Sequence, residues 1–142
     1  DMKIFIAGSM SFAKEIIETK ELLKGFESDF APDTHDCYNN PNLKLNEDLE
    51  HCERTDIMRA CMNVQKDCDA ILLLNYPKDG VDGYIGTHCL IELGLAYYLG
   101  QKIFLLYPPP SQEKARYYVE VMHMKPIILN GDINKIKNII KA

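Results

Sequence analysis

The chain is predicted to fold as an α/β domain with a five-stranded parallel sheet covered by helices on both faces. Three observations predict it. Short β-prone apolar segments alternate with segments of helical spacing along the whole length, the signature of successive β-α units. The run DAILLLN at residues 69–75 is apolar on both faces, as strands are in a parallel sheet sandwiched between helices. Several strand ends run directly into small or polar turns, Gly8-Ser9 after the first and Asn75 to Gly86 after the third. In parallel sheets the rim beyond the strand C-termini is where ligands bind.

The elements follow in order. Residues 2–7 (MKIFIA) form a short buried strand that stops at Gly8-Ser9. Residues 11–26 show helical spacing, with Phe12, Ile16, Leu22, Leu23 and Phe26 mostly on one face and Gly25 near the end. Residues 28–31 read as a second strand. Residues 32–46 are rich in Asp, Asn and Pro and read as a long loop; a loop of that length is expected to be functional or mobile. Residues 48–66 regain helical spacing through Ile57, Met58, Cys61, Met62 and Val64. The central strand at 69–75 comes next, then a helix at 87–99 stopped by Gly100. Residues 102–107 (KIFLLY) form a strand closed by three prolines. A polar helix at 111–124, a short strand at 126–129 and a helix at 132–141 after Asn130-Gly131 complete the chain.

One domain spanning residues 1–142 is expected, with 46% hydrophobic and 26% charged residues and no internal repeat. The net charge of −5 argues against a nucleic-acid polymer or an anionic membrane as partner. No apolar run approaches the roughly 20 residues of a membrane span. The N-terminal residues lack the order of a signal peptide, and Asp1-Met2 reads as a native start preceded by one residue. Five cysteines without a C-x-x-C pair are expected to be reduced thiols of a cytoplasmic protein. A metal site built from His35, Cys37, His51 and Cys52 is disfavoured, because His35-x-Cys37 is not a usual ligand spacing. No metal and no cofactor are expected.

Two rim features carry chemistry. At Gly8-Ser9-Met10-Ser11 a strand, a small-residue turn and a helix start offer backbone N–H groups to an anion, with the Ser9 and Ser11 hydroxyls as further donors. The alternative is that Ser9 or Ser11 only caps the helix. The loop at 76–86 places Gly80, Gly83 and Gly86 beside Lys78, Asp79, Asp82 and Tyr84, and its glycines let backbone approach a ligand closely. Asn75, at the exit of the central strand, is placed to touch a ligand. Glu92 is the only charge in the apolar helix that follows. An unpartnered buried carboxylate costs several kcal/mol, on the order of what a small domain can spare, so Glu92 either has a partner or faces a cavity.

The first strand IFIAGSM, the central strand DAILLLN, the following glycine loop, the helix segment Glu92-Leu93-Gly94-Leu95-Ala96 and the strand start Lys102-Ile103-Phe104 together resemble the nucleoside 2-deoxyribosyltransferase family, which includes 2′-deoxynucleoside 5′-monophosphate N-glycosidases. The likeness covers residues 2–107 and implies a Rossmann-like (flavodoxin-like) doubly wound sheet. In that family the helix glutamate attacks the anomeric carbon of the sugar and expels the base. The resemblance therefore implies N-glycosidic cleavage or deoxyribosyl transfer on a nucleoside or nucleoside 5′-monophosphate, with Glu92 as nucleophile. It also implies that Asp69 contributes to activity, whereas the position of Asp69 at the strand end opposite the rim favours a structural charge. Gly8, Ser9 and Ser11 would hold the 5′-hydroxyl or phosphate, and Asn75, Gly83, Tyr84 and Gly86 would line the pocket. The chain departs from the family at Ser9-Met10-Ser11, where an aromatic residue or Arg is common, and in a longer spacing before Glu92. Asp82, Tyr84 and His88 are alternatives for the family's acidic loop residue, and His88 and His123 are proton-transfer candidates by residue type alone. A homo-oligomer is implied by the family and by a helix apolar on every face. A non-catalytic nucleotide-binding or sensing module on the same fold is the alternative reading.

Overall fold

A computed structural model of the chain describes residues 2–140. Its five strands are β1 (Lys3–Ala7), β2 (Glu27–Phe30), β3 (Ala70–Leu73), β4 (Lys102–Leu105) and β5 (Ile127–Ile128). They form one sheet in the order β2-β1-β3-β4-β5, and every pairing is parallel. The helices are α1 (Ala13–Leu22), α2 (Thr34–Asn39), α3 (Leu49–Thr55), α4 (Ile57–Gln65), α5 (Thr87–Tyr98), α6 (Tyr118–His123) and α7 (Lys135–Ile139). This is the predicted doubly wound α/β fold with the flavodoxin-like strand order.

The period-two alternation of the strands divides the core in two. Ile4, Ile6, Leu72, Leu74 and Phe104 point to one face, where Ile16 and Leu23 of the α1 region and Ile136 of α7 cover them. Phe5, Ala7, Ile71, Leu73 and Leu105 point to the other, under Cys89, Leu93 and Ala96 of α5 and Val121 of α6. Burying both faces is what the unbroken apolar strands require. The chain winds outward from β1 to β2, then crosses back to β3 on the other side of β1. The loops leaving β1 and β3 therefore part company, and a crevice opens between them.

Four predicted segments differ in detail. Residues 48–66 form two helices, because Asp56 adopts a left-handed conformation (φ 44°) that ends α3 before α4 begins. The segment at 32–46 is not a plain loop. It contains α2 and two 3₁₀ turns, Pro41–Leu43 and Leu45–Glu47, and Thr34 anchors its start by donating its hydroxyl to Ala31 O at 2.6 Å. The helix predicted at 111–124 is confined to α6. Ahead of it Ala115 is buried and the Tyr117 hydroxyl reaches Ile85 O, and these contacts hold the chain as turns against the β3 loop. The last helix starts late because Asp132 Oδ1 accepts the Asn134 N–H (3.0 Å), an Asx turn that competes with helix. Its predicted end, Lys141, lies outside the described residues, as does Asp1.

α5 follows the prediction closely. Gly100 (φ 72°) stops it with paired bonds, Gln101 N–H to Ala96 O (2.9 Å) and Gly100 N–H to Tyr97 O (3.2 Å), a Schellman ending that favours glycine.

Candidate active site

The crevice between the β1 and β3 loops is a cavity of about 950 Å³. Its floor includes the C-terminal half of β1, and α5 and the 33–47 segment supply walls. At the end of β1, Ser9 caps the 3₁₀ turn Met10–Phe12 by accepting the Ser11 N–H on Oγ at 3.3 Å. The same Oγ also receives Lys78 Nζ at 3.0 Å. Lys78 is delivered there by a tight turn in the β3 loop. Asp79 and Gly80 both take positive φ (52° and 75°), and Lys78 and Val81 exchange two backbone hydrogen bonds of 3.1 and 2.9 Å. That is the two-residue turn that Asp-Gly favours. Lys78 also sits over the Tyr84 ring, 5.2 Å from its centroid. A cation, a hydroxyl and the start of a helical turn thus converge on one edge of the cavity.

Glu92 lines the same cavity. It projects from the buried side of α5 and is 5% exposed. Gln65 at the end of α4 fixes the backbone there: its Nε2 donates to Glu92 O at 2.8 Å. Gln101 locks that arrangement by donating to Gln65 O (2.7 Å) and Cys68 O (2.9 Å). No donor among the described residues reaches the Glu92 carboxylate itself. His88 Nε2 lies 4.0 Å from Oε2, one helical turn earlier. Burial, reinforced by the charge of Asp33, pushes the carboxyl up to about 8. Burial also lowers His88, against a smaller opposing effect from Asp33. His88 Nε2 is buried and has no hydrogen-bond partner among the described residues. The Cys61 thiol completes this corner, within 4.8 Å of the His88 and Glu92 ligand atoms.

Of the residues singled out in the sequence, Gly8, Ser9, Ser11, Tyr84, Gly86 and Glu92 all line the cavity. Asn75, Gly83 and Asp69 do not. Asn75 is fully engaged: its Nδ2 donates to Tyr107 O (2.8 Å) and Gly83 O (3.4 Å), and its Oδ1 accepts the Tyr107 N–H (2.9 Å). It clamps the β3 loop to the end of β4. Gly83 serves the same junction. Its φ is 69°, and a Cβ there would lie 2.0 Å from Pro108 O, so no side chain fits. Asp69 lies at the opposite end of the sheet, as its strand position indicates, and accepts the Lys3 N–H on Oδ2 at 2.8 Å. Direct contact with anything in the cavity is ruled out for it by that placement.

His35, Cys37, His51 and Cys52 are not gathered as ligands. His35 packs on Phe30, Cys37 donates to Asp33, His51 meets Arg54 and Cys52 donates to Leu45 O. His88, a proton-transfer candidate by residue type alone, lines the cavity, and its place four residues before Glu92, on the same helix face, was a further signal. Lys78, Asp33 and Cys61 line it too and were not named as site members. Lys78 carried a weaker signal in the Asp-Gly turn beside it. Asp33 and Cys61 join through tertiary packing and left no local signal.

No protein-family model matches the chain, and no curated protein matches it in sequence. Among solved structures it is similar to the CMP N-glycosidase BcmB of Clostridium botulinum, with 19% identity over 96% of this chain and 97% of that one and a TM-score of 0.48.

Proposed function

We propose that the chain cleaves the N-glycosidic bond of a nucleoside or nucleoside 5′-monophosphate through a covalent glycosyl-enzyme intermediate. The observation that carries this reading is the Glu92 carboxylate, buried on a cavity wall with no hydrogen-bond donor among the described residues. Burial holds the group largely protonated at neutral pH, with its pKa pushed up to about 8, and the ionised form, which does the attacking, gains most when positive charge develops beside it. The anomeric carbon of a sugar losing its base is such a centre. An oxygen of Glu92 bonds to C1′ as the C1′–N bond breaks, and the bonding pair leaves with the base nitrogen, which takes up a proton. Water then attacks C1′, gives up a proton and releases the sugar, which restores Glu92. A second base in place of water gives transfer.

The 5′ end of the substrate goes to Ser9, Ser11 and Lys78. The Lys78 charge, already beside the Ser9 hydroxyl, suits a 5′-phosphate, and Tyr84 offers an aromatic face. The reading includes a homo-oligomer formed through the outer face of α5. Ile91, Leu95 and Tyr98 share that face by their i, i+4, i+7 spacing, and Tyr98 is 84% exposed. Light scattering of the wild type against Tyr98→Ser tests this, and a monomeric wild type refutes it.

Chromatographic detection of free base tests the reaction. Deoxy- and ribonucleosides and their 5′-monophosphates are incubated with wild type and Glu92→Ala. Base release by the wild type alone is expected, with both proteins folded. Equal release by Glu92→Ala sinks the mechanism. Binding without release by the wild type supports a nucleotide-binding module instead, a reading favoured by the Ser9-Met10-Ser11 turn, which has neither the aromatic residue nor the Arg common in the family it resembles.

A further inference from the structure

We propose that Cys61, His88 and Glu92 form a three-ligand site for a borderline-soft divalent cation of the zinc class, with its fourth position open to the cavity. The donors come from two packed helices, the thiol from α4 and the imidazole and carboxylate from α5. Four-residue spacing sets His88 and Glu92 on one face of α5, the spacing by which helices present paired metal ligands. All three ligand atoms lie within 4.8 Å of one another. Ligands around a tetrahedral zinc ion sit roughly 3.3–3.7 Å apart, given bonds of about 2.0–2.3 Å to N, O and S. Side-chain rotation closes that difference.

The donors are also free to bind. His88 Nε2 is buried without a hydrogen-bond partner among the described residues. Cys37, Cys52 and Cys68 spend their thiols on Asp33, Leu45 O and Val64 O, whereas Cys61 has no such acceptor among the described residues. The local charge favours a cation as well. The Asp33 carboxylate lines the same cavity as Cys61, His88 and Glu92. No Lys or Arg forms an ion pair with Asp33 or Glu92 among the described residues; of the lysines that line the cavity, Lys78 is held at Ser9, Lys14 pairs with Glu18, and Lys44 sits on the 33–47 wall. A bound dication would supply the missing partner. The thiol and carboxyl protons pass to solvent as it binds. Three protein ligands with one open position is the arrangement of reactive zinc sites, not of closed structural ones.

Occupancy has a consequence that rests on the proposed nucleophile. A cation on the Glu92 carboxylate occupies the oxygen that would attack C1′, so zinc and sugar compete and zinc inhibits base release.

The test uses the full chain, stripped with a chelator and titrated with Co²⁺, then with Zn²⁺ as competitor. Expected are one equivalent of tetrahedral cobalt, a near-ultraviolet thiolate-to-cobalt band, and displacement of both signals by zinc. Cys61→Ser should lose the band, and His88→Ala should weaken both ions by about tenfold or more. Circular dichroism of each variant checks the fold, and a Cys37→Ser/Cys52→Ser background keeps the band specific to the α4–α5 site. Octahedral cobalt without the band, or unchanged affinity in folded Cys61→Ser and His88→Ala, overturns the site. Base release is followed in parallel. Loss on adding one equivalent of zinc, with recovery on chelation, supports the competition. Zinc bound by the spectral criterion with base release intact leaves the metal site standing and removes Glu92 as nucleophile. A protein that releases no base under any condition is judged on the spectra alone.

Discussion

Asn75 and Glu92 are both polar, both buried, and both lie just beyond the central strand, one at its exit and one on the helix that follows. Their surroundings are opposite. Asn75 makes three hydrogen bonds, two of them a reciprocal pair with the backbone of Tyr107. Glu92 makes none through its carboxylate among the described residues, although Gln65 holds its backbone. A satisfied buried polar group stabilises and specifies a fold. An unsatisfied one weakens the fold and persists where a ligand completes it. The difference separates a structural role for Asn75 from the functional role proposed for Glu92 more sharply than position along the strand does.

The largest effect expected is at Glu92. Glu92→Gln should cut base release by roughly 10³-fold or more, as removal of a nucleophile does. Glu92→Leu should be inactive and at least as stable as wild type, by about 1 kcal/mol, because it removes an uncompensated buried carboxylate. Thermal melts read this directly. A fall in melting temperature on Glu92→Leu would mean that the carboxylate has a structural partner, and the contrast with Asn75 would collapse.

Asn75→Ala should do the reverse. It strands the part-buried N–H and C=O of Tyr107 and frees the loop at Gly83. A loss of about 2–4 kcal/mol in a urea titration is expected from groups left unsatisfied. At temperatures where the variant is folded, its kcat should stay within a few fold of wild type, on the order expected for a residue with no substrate contact. Collapse of kcat with stability intact would place Asn75 in the catalytic machinery after all.

These two residues also show what sequence can and cannot reveal. The fold was legible because β1, β3 and β4 are apolar on both faces and the segments between them switch to helical spacing. Glu92 was legible as a lone charge in an apolar helix, and Gly8, Ser9 and Gly86 as turns at strand ends. Asn75 was misplaced because a strand-exit position does not say whether its amide turns to the cavity or to Tyr107, 32 residues away. Asp33 and Cys61 reach the cavity only through packing of the 32–46 segment and α4. Lys78 enters by a turn whose geometry Asp79-Gly80 encodes but whose direction they do not. The break at Asp56 was hidden because Asp visits positive φ more often than most residues but far less often than glycine, so its presence alone marks no break.

Lys78 tests whether the β1 edge recognises a phosphate. Lys78→Ala removes the cation beside Ser9, so kcat/KM should fall by about tenfold or more for a 5′-monophosphate and much less for the matching nucleoside, the difference expected of one charge-assisted contact. The salt dependence of KM should weaken in parallel. Equal losses for both substrates would assign Lys78 to positioning the β3 loop through Ser9 and Tyr84.

The smallest effect is expected at Asp69, and it bears hardest on the comparison. The family likeness makes this residue a contributor to activity. Its geometry makes it a pin, accepting the Lys3 N–H where β1 and β3 begin, at the sheet end away from the cavity. Asp69→Asn keeps an acceptor in place and removes the charge. A change of about 0.5–1 kcal/mol in stability is expected, the scale of one exposed hydrogen bond. Both kcat and KM should be unchanged. Asp69→Ala should double the stability cost at most and still spare kcat. If either variant lost base release by an order of magnitude with its melting temperature intact, remoteness from the cavity would cease to be a safe criterion. The sheet would then have to transmit the charge state of its far end along β3 to α5, and Asn75, which stands where β3 passes into the loop leading to α5, would be the next residue to test.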